Sequence, residues 1–379
     1  MLNKEEISRY SRHLLLPEIG TTGQVKLKSA KVLVVGAGGL GCPVLLYLTA
    51  AGVGEIGIVD FDKVDESNLQ RQVLYTVEDV GKSKVEVAVA KLSEQNPFVN
   101  FTTYNSKLDN QNALEIIRNF DIVIDGTDNF ATRYLVNDAC IILNKPLIYG
   151  SIYRFEGQVS FLNCTDKEGT QGPSYRCLFP QPPAPESSFN CSEIGVIGVL
   201  PGIVGTLQAN EAIKYITGIG KVLSGKLLLI NALTMDFSTI EVVRNNETIK
   251  SAPANAKEFK KMSYDFFCGV SQNKSIKGIT VRELVGLLDK REKLQIIDVR
   301  EPGEQPALDE LIDLKTALGD ILDQADRISQ SKQVIILCQS GKRSRRAIEL
   351  LQNKFHLTNL YNLEEGVIGW LKDHQLTQT

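Results

Sequence analysis

Three histidines in 379 residues, His13, His356 and His374, leave little imidazole for acid–base work, and none has a metal-ligand spacing such as HExxH. Chemistry in this chain therefore rests on thiols, carboxylates, arginines, lysines and main-chain groups. The first constellation is Gly36-Ala37-Gly38-Gly39-Leu40-Gly41, which follows the apolar run KVLVV and opens an apolar stretch from Cys42 to Ala51. That is the context in which a GxGxxG turn cradles phosphate. Glycines let main-chain N–H groups approach an anion, and a helix N-terminus favours its charge. Asp60 ends the next apolar run, where a carboxylate accepts ribose hydroxyls. On these two features alone, an NAD-dependent oxidoreductase is the natural reading.

The surrounding segments point elsewhere. They are Arg9-Tyr-Ser-Arg12, FDKVDESNLQRQ (61–72), GKSKVEVA (81–88), DGTDN (125–129), GSIYRFEGQV (150–159), NCSEIGV (190–196) and GTLQANEAIK (205–214). In this order and spacing they resemble the signature segments of the ubiquitin-activating-like adenylyltransferases, the MoeB/ThiF type, over residues 1–245. The resemblance implies joining a carboxylate to the α-phosphate of ATP with loss of pyrophosphate. Two anions must meet in such a step, so the site has to neutralise charge and hold the reactants in line. Arg71 suits the phosphates as a planar fork and Lys84 as a point charge. Asn68 would orient the phosphates, and Asp128 would bind the Mg²⁺ that bridges them. The resemblance also implies a homodimer in which Arg12 reaches the partner's ATP. The substrate it implies is the C-terminal carboxylate of a small ubiquitin-like sulfur-carrier protein.

The seven cysteines divide by context. Cys191, immediately before SEIGV, lies where this family can carry an activated acyl or sulfur group. The family's structural zinc uses two CxxC pairs; here the first reads Ser174-Tyr-Arg-Cys177, and EVVRNNETIK (241–250) holds no cysteine. One ligand of four is too few for tetrahedral zinc, so no structural zinc is expected, with local packing in its place. Cys42 and Cys140 read as core residues, and Cys164 and Cys268 suggest no role. Cys338 ends the apolar run QVIIL and begins Cys-Gln-Ser-Gly-Lys-Arg-Ser. A strand–loop–helix turn aims main-chain N–H groups and the helix dipole at one sulfur, and with Lys342 and Arg343 it would stabilise a thiolate or persulfide. This loop and IIDVREPGE (296–304) resemble the rhodanese-type sulfurtransferases over residues 276–379. QPALDELIDLK (305–315) departs from that family's pattern after DVRE.

The elements that position these residues are short apolar runs separated by helical patterns. Strands are expected at 31–35, 55–60, 120–126, 146–152 and 226–232, and again at 294–299, 333–338 and 360–363. Such alternation means βαβ units around a parallel sheet. The fold class is α/β: a Rossmann-like nucleotide-binding domain (1–245) with a mainly parallel sheet, a polar linker (246–275) and a smaller α/β rhodanese-like domain (276–379). Residues 164–193, rich in proline, read as an irregular segment. Lys and Arg total 42 against 45 Asp and Glu, a net charge of -3, which argues against a strongly basic nucleic-acid binder. The longest apolar stretch, 32–59, is broken by glycines, and the N-terminus lacks an apolar signal core, so a cytoplasmic chain with reduced thiols and no membrane contact is expected. A cysteine desulfurase is an expected sulfur donor. A carrier-binding scaffold without catalysis is the other reading the altered zinc segment permits. The pathway served, whether molybdopterin, thiamine or tRNA thiolation, is not encoded in these motifs.

Overall fold

The computed structural model describes residues 1–165, 169–183, 195–268, 276–289, 293–308 and 310–376. It divides into two compact units, Met1–Gly269 and Val270–Thr379.

In the first unit, β1 (Lys31–Val35), β2 (Glu55–Val59), β3 (Asn100–Tyr104), β4 (Ile122–Asp125) and β5 (Leu147–Tyr153) run parallel in the order β3-β2-β1-β4-β5. β6 (Glu156–Leu162), β7 (Lys226–Asn231) and β8 (Asp236–Glu241) extend the sheet antiparallel. A strand covered on both faces has no reason to alternate polar and apolar residues. β1 shows it: Val32 and Val34 join one core with Leu45 and Leu48, while Leu33 and Val35 join another with Ile117 and Tyr134. The register aligns the ends of three strands, because Val35 pairs with Val59 on one side and with Asp125 on the other. The turns after β1, β2 and β4 therefore open at one place. This is also where the strand order reverses, the usual ligand crevice of such sheets.

The helix Gly41–Ala51 leaves the glycine turn and packs on the long helix Val199–Thr217. Gly205 allows that approach, since a Cβ there would stand 2.4 Å from the Leu40 carbonyl oxygen.

The expected linker needs correction over its described part. Residues 246–268 form three short helices, Asn246–Ile249, Ala256–Lys261 and Tyr264–Phe267, within the first unit. Their polar composition hides two asparagine caps, at Asn245 and Asn255, and three buried anchors, Phe259, Tyr264 and Cys268. A buried ion pair adds to these anchors. Arg176 is fully buried and meets Asp138 through Nε and Nη2 at 2.8 and 2.7 Å, while the Tyr264 hydroxyl donates to the same carboxylate at 2.9 Å.

The second unit is a five-stranded parallel sheet of β9 (Lys277–Ile279), β10 (Leu294–Asp298), β11 (Leu314–Lys315), β12 (Gln333–Leu337) and β13 (Leu360–Leu363), in the order β11-β10-β12-β13-β9. Its core gathers Leu284, Ile296, Ile335, Leu337, Leu363 and Val367. No helix among the described residues is long and apolar enough to cross a membrane.

Candidate functional site

A cavity of about 190 Å³ lies at the aligned strand ends of the first unit, lined by Gly36, Gly38, Gly39, Asp60, Arg71, Lys84 and Asp128 among others. The glycines of its turn do different jobs. Gly36 has φ +96°, and a Cβ on it would stand 2.8 Å from the Gly126 carbonyl oxygen. At Gly41 a Cβ would lie 1.9 Å from the Gly36 oxygen, an impossible overlap. Gly38 meets only the Gln72 amide at 3.6 Å, so its missing side chain keeps the cavity floor open rather than the turn closed.

Asp60 follows β2 and fastens it to the glycine turn: Oδ2 accepts from the Ala37 N–H and Oδ1 from that of Asp62, both at 2.8 Å. Burial raises the pKa of this carboxyl; the Lys84 charge and the two N–H donors oppose the shift. Lys84, the first residue of the helix Lys84–Gln95, is buried, and its Nζ stands 3.0 Å from Asp62 Oδ2. The sequence reading missed Asp62; its only signal was the acidic run that begins at Asp60. Arg71 donates from Nη1 to the Ser67 carbonyl at 3.1 Å, which leaves most of its fork open.

The turn after β4 presents Asp128 as an exposed carboxylate. Buried Asp125 holds that turn, accepting from the N–H and hydroxyl of Thr127 at 2.9 and 2.6 Å, and burial raises the pKa of Asp125. From below, Arg133 donates to the Thr127 carbonyl at 3.1 Å. The helix that follows starts at Phe130, capped by the Asn129 side chain.

Three expected residues stand apart from this lining. Gly41 supports the turn from behind. Asn68 turns to its neighbours, donating to Ser67 Oγ at 3.2 Å and accepting from Gln72 Nε2 at 3.1 Å. Gln72 itself lines the cavity, is buried, and keeps Oε1 without a hydrogen-bond partner. Arg12 is exposed in the helix Ser11–Leu14, away from the cavity lining.

In the second unit, Cys338 follows β12 and is buried. Gly341, at φ +81°, caps the helix Lys342–Phe355. The loop is seated by its neighbours: the Val367 N–H donates to the Cys338 carbonyl at 2.9 Å, and Arg300 Nη1 donates to Gln339 Oε1 at 3.3 Å. Arg343, expected near the sulfur, lies within electrostatic reach of Cys338 and is also paired with a carboxylate. Its guanidinium meets Glu304 through Nη1 and Nη2, at 2.5 and 2.7 Å, so a carboxylate from the DVREPGE segment shares its charge. Lys342 is exposed.

A family model described as the ThiF family matches residues 10–251. This chain belongs to the ThiF family. A second model, the rhodanese-like domain, matches residues 280–373. The probable adenylyltransferase/sulfurtransferase MoeZ of Mycobacterium tuberculosis is 43% identical over 381 residues, which covers 99% of this chain and 95% of that protein. The sulfur carrier protein adenylyltransferase of Thermus thermophilus is 51% identical over 267 residues, 70% of this chain and 98% of that one. Among solved structures, E. coli MccB + ATP superposes with a TM-score of 0.54 at 25% identity, covering 64% of this chain and 73% of its own.

Within this ThiF-family fold, Cys191 lies outside the described residues. Cys177 occupies a small hydrogen-bonded corner, its sulfur accepting from the Ser174 N–H at 3.4 Å and the Asn245 N–H at 3.3 Å. One sulfur thus joins the two segments where the resemblance would set four thiolates. Among the described residues, no group of three or more His, Cys, Asp or Glu is placed to hold a metal ion. Cys42, Cys140, Cys164 and Cys268 are buried, and burial pushes the Cys42 and Cys268 thiols up to about 12.

Proposed function

We propose that this enzyme, an adenylyltransferase joined to a rhodanese-type sulfurtransferase domain, activates the C-terminal carboxylate of a small ubiquitin-like sulfur-carrier protein with ATP. The observation that carries the reading is the convergence of Arg71, Lys84 and Asp128 on a glycine-floored cavity at the strand-order reversal. In the first step the carboxylate oxygen attacks the α-phosphorus, the bond to the bridging oxygen breaks, and pyrophosphate leaves. Arg71 and the buried Lys84 reduce the repulsion between the two anions; both are held in place before the ligand arrives, which makes their charge effective in the transition state. Exposed Asp128, a hard oxygen donor at the cavity, suits a magnesium ion, which when bound supplies charge neutralisation on the phosphates. Arg12 fits the remaining role only in a homodimer.

In the second step a Cys338 persulfide attacks the acyl carbon and AMP leaves, giving an acyl disulfide. Attack by a second thiol, for which Cys191 is the candidate, then releases the thiocarboxylate and leaves a Cys338–Cys191 disulfide for an external thiol to reduce. A persulfide donor of the cysteine-desulfurase type fits the first loading of Cys338. Dinucleotide oxidoreduction loses its motivation once the glycine turn belongs to a ThiF-family cavity. Carrier-dependent exchange of labelled pyrophosphate into ATP tests the proposal. Exchange that appears with a cognate carrier and disappears in Asp128→Ala supports it; ATP binding without any exchange would favour a scaffold instead.

A further inference from the structure

Beneath Cys338 lies a neutral pair that no motif announced. Ser344, in the first turn of the helix Lys342–Phe355, and Asn362, in β13, are both buried, as is the cysteine. Ser344 Oγ lies 2.6 Å from Asn362 Oδ1 and 3.4 Å from Cys338 Sγ. A hydroxyl has one proton to give. The shorter contact, to the amide oxygen, holds it more strongly than the longer one to the sulfur. Both contacts have the Ser344 hydroxyl as donor, so Asn362 Oδ1 and Cys338 Sγ compete for one proton, and beside a neutral thiol it stays on the Asn362 side. A thiolate reverses this preference. Negative sulfur requires a donor, and Ser344 serves it by turning about its Cβ–Oγ bond, which breaks the Asn362 contact.

Of the charged groups around the loop, Arg343 feels the sulfur electrostatically. Arg343 is paired with Glu304 and Arg300 with Asp298, Lys342 is exposed, and Glu365 lies in the turn after β13. The Ser344 hydroxyl proton can move between its two acceptors.

We propose that Ser344 and Asn362 form a two-position proton switch that sets the reactivity of Cys338, Asn362 holding the hydroxyl proton away from the sulfur until the thiol ionises. The proposal rests on reading Cys338 as the sulfur-bearing thiol. In loading, the Cys338 thiolate attacks the outer sulfur of a donor persulfide, R–S–SH. A new S–S bond forms at Cys338, the donor S–S bond breaks, and RS⁻ leaves and takes up the proton Cys338 released. Both residues are positioning residues, acting through the hydrogen bond at Sγ.

The test is iodoacetamide alkylation of the full-length chain, followed at the Cys338 peptide by mass spectrometry across pH. Ser344→Ala removes the donor a thiolate uses. It is expected to slow alkylation at neutral pH about tenfold and to move the pH midpoint up by about one unit. Asn362→Leu removes the competing acceptor and is expected to speed alkylation about threefold, with the midpoint moved down. Ser344→Thr keeps the hydroxyl and is expected to restore the wild-type profile, which separates the switch from a packing defect. Asn362→Leu reacting no faster than wild type, or Ser344→Ala reacting equally fast, overturns the proposal. If these shifts appear but glutathione persulfide loads no sulfur onto wild-type Cys338, the sulfur-carrying reading fails and the switch stands.

Discussion

The nucleotide cavity and the Cys338 loop share one local design, a parallel strand, a glycine-bearing turn and a helix, but they differ in how much of their charge is left open. At the cavity, buried Lys84 faces Asp62, which is half exposed; Arg71 holds one carbonyl; and Asp128 is open to solvent. At Cys338, Arg343 is closed onto Glu304 and Arg300 onto Asp298, and Ser344, which donates to the sulfur, is uncharged. The first arrangement holds charge ready for a polyanion, which would complete the pairing when it binds. The second holds a single sulfur among dipoles, where a small proton movement changes its reactivity. Similar backbone geometry is thus compatible with two chemistries, and the pairing of the charged side chains separates them.

The sharpest way to break this comparison is to remove one centre at a time. Asp128→Ala is expected to lower carrier-dependent pyrophosphate exchange at least about a hundredfold, since a charged group acting on the transition state is lost. Cys338→Ala is expected to abolish thiocarboxylate formation while carrier adenylate accumulates, read by mass spectrometry of the carrier. If Cys338→Ala also stopped adenylation, the two centres would not be separable in the way their charge patterns imply.

A second contrast lies inside the glycine turn. Gly41→Ala drives a Cβ into the Gly36 carbonyl, so the turn or the helix behind it must move, with an expected loss of about 3 kcal/mol in thermal or denaturant unfolding. Gly38→Ala meets nothing closer than 3.6 Å and is expected to unfold within a few tenths of a kcal/mol of wild type, yet to weaken ATP binding several-fold by filling the floor. Equal destabilisation by the two substitutions would show that the turn, and not the ligand, sets the need for Gly38.

Much of this fold is legible in the sequence because strands covered on both faces, such as KVLVV and QVIIL, read as unbroken apolar runs. β3 did not, since NFTTY mixes polar and apolar residues on a partly exposed edge strand, and β8 is exposed along all six residues. The helices at 246–268 were hidden because three buried anchors are diluted in polar chain. At the site, Asp60, Arg71, Lys84 and Asp128 were found by their motif context; no periodicity links residues that meet only because Val59, Val35 and Asp125 share a register. Which glycines are sterically obligatory depends on the Gly126 carbonyl opposite Gly36, a contact across 90 positions of chain. Ser344 and Asn362 come from a helix and a strand that only the packed second unit brings together, and the pairing of Arg343 with Glu304 joins positions 39 apart in the chain.

The smallest effect concerns that last pair. The hydrogen bonds from Arg343, the largest influence, lower the pKa of the Glu304 carboxyl below its ordinary value of 4.5. A carboxyl lowered on folding contributes stability above its unfolded pKa, and loses that contribution as pH falls through the folded value. The pair is partly exposed, so its contribution is about 1 kcal/mol. Trp370 is the only tryptophan and packs on the core of the second unit, so its fluorescence follows that unit alone. Glu304→Gln is expected to unfold at lower denaturant than wild type at pH 7, and the two curves should converge as the solution is taken below the usual glutamate range. A gap that persists unchanged in acid would mean that Glu304 acts through shape and not charge, and the contrast with the open charges of the nucleotide cavity would have to be drawn from Arg300 and Asp298 instead.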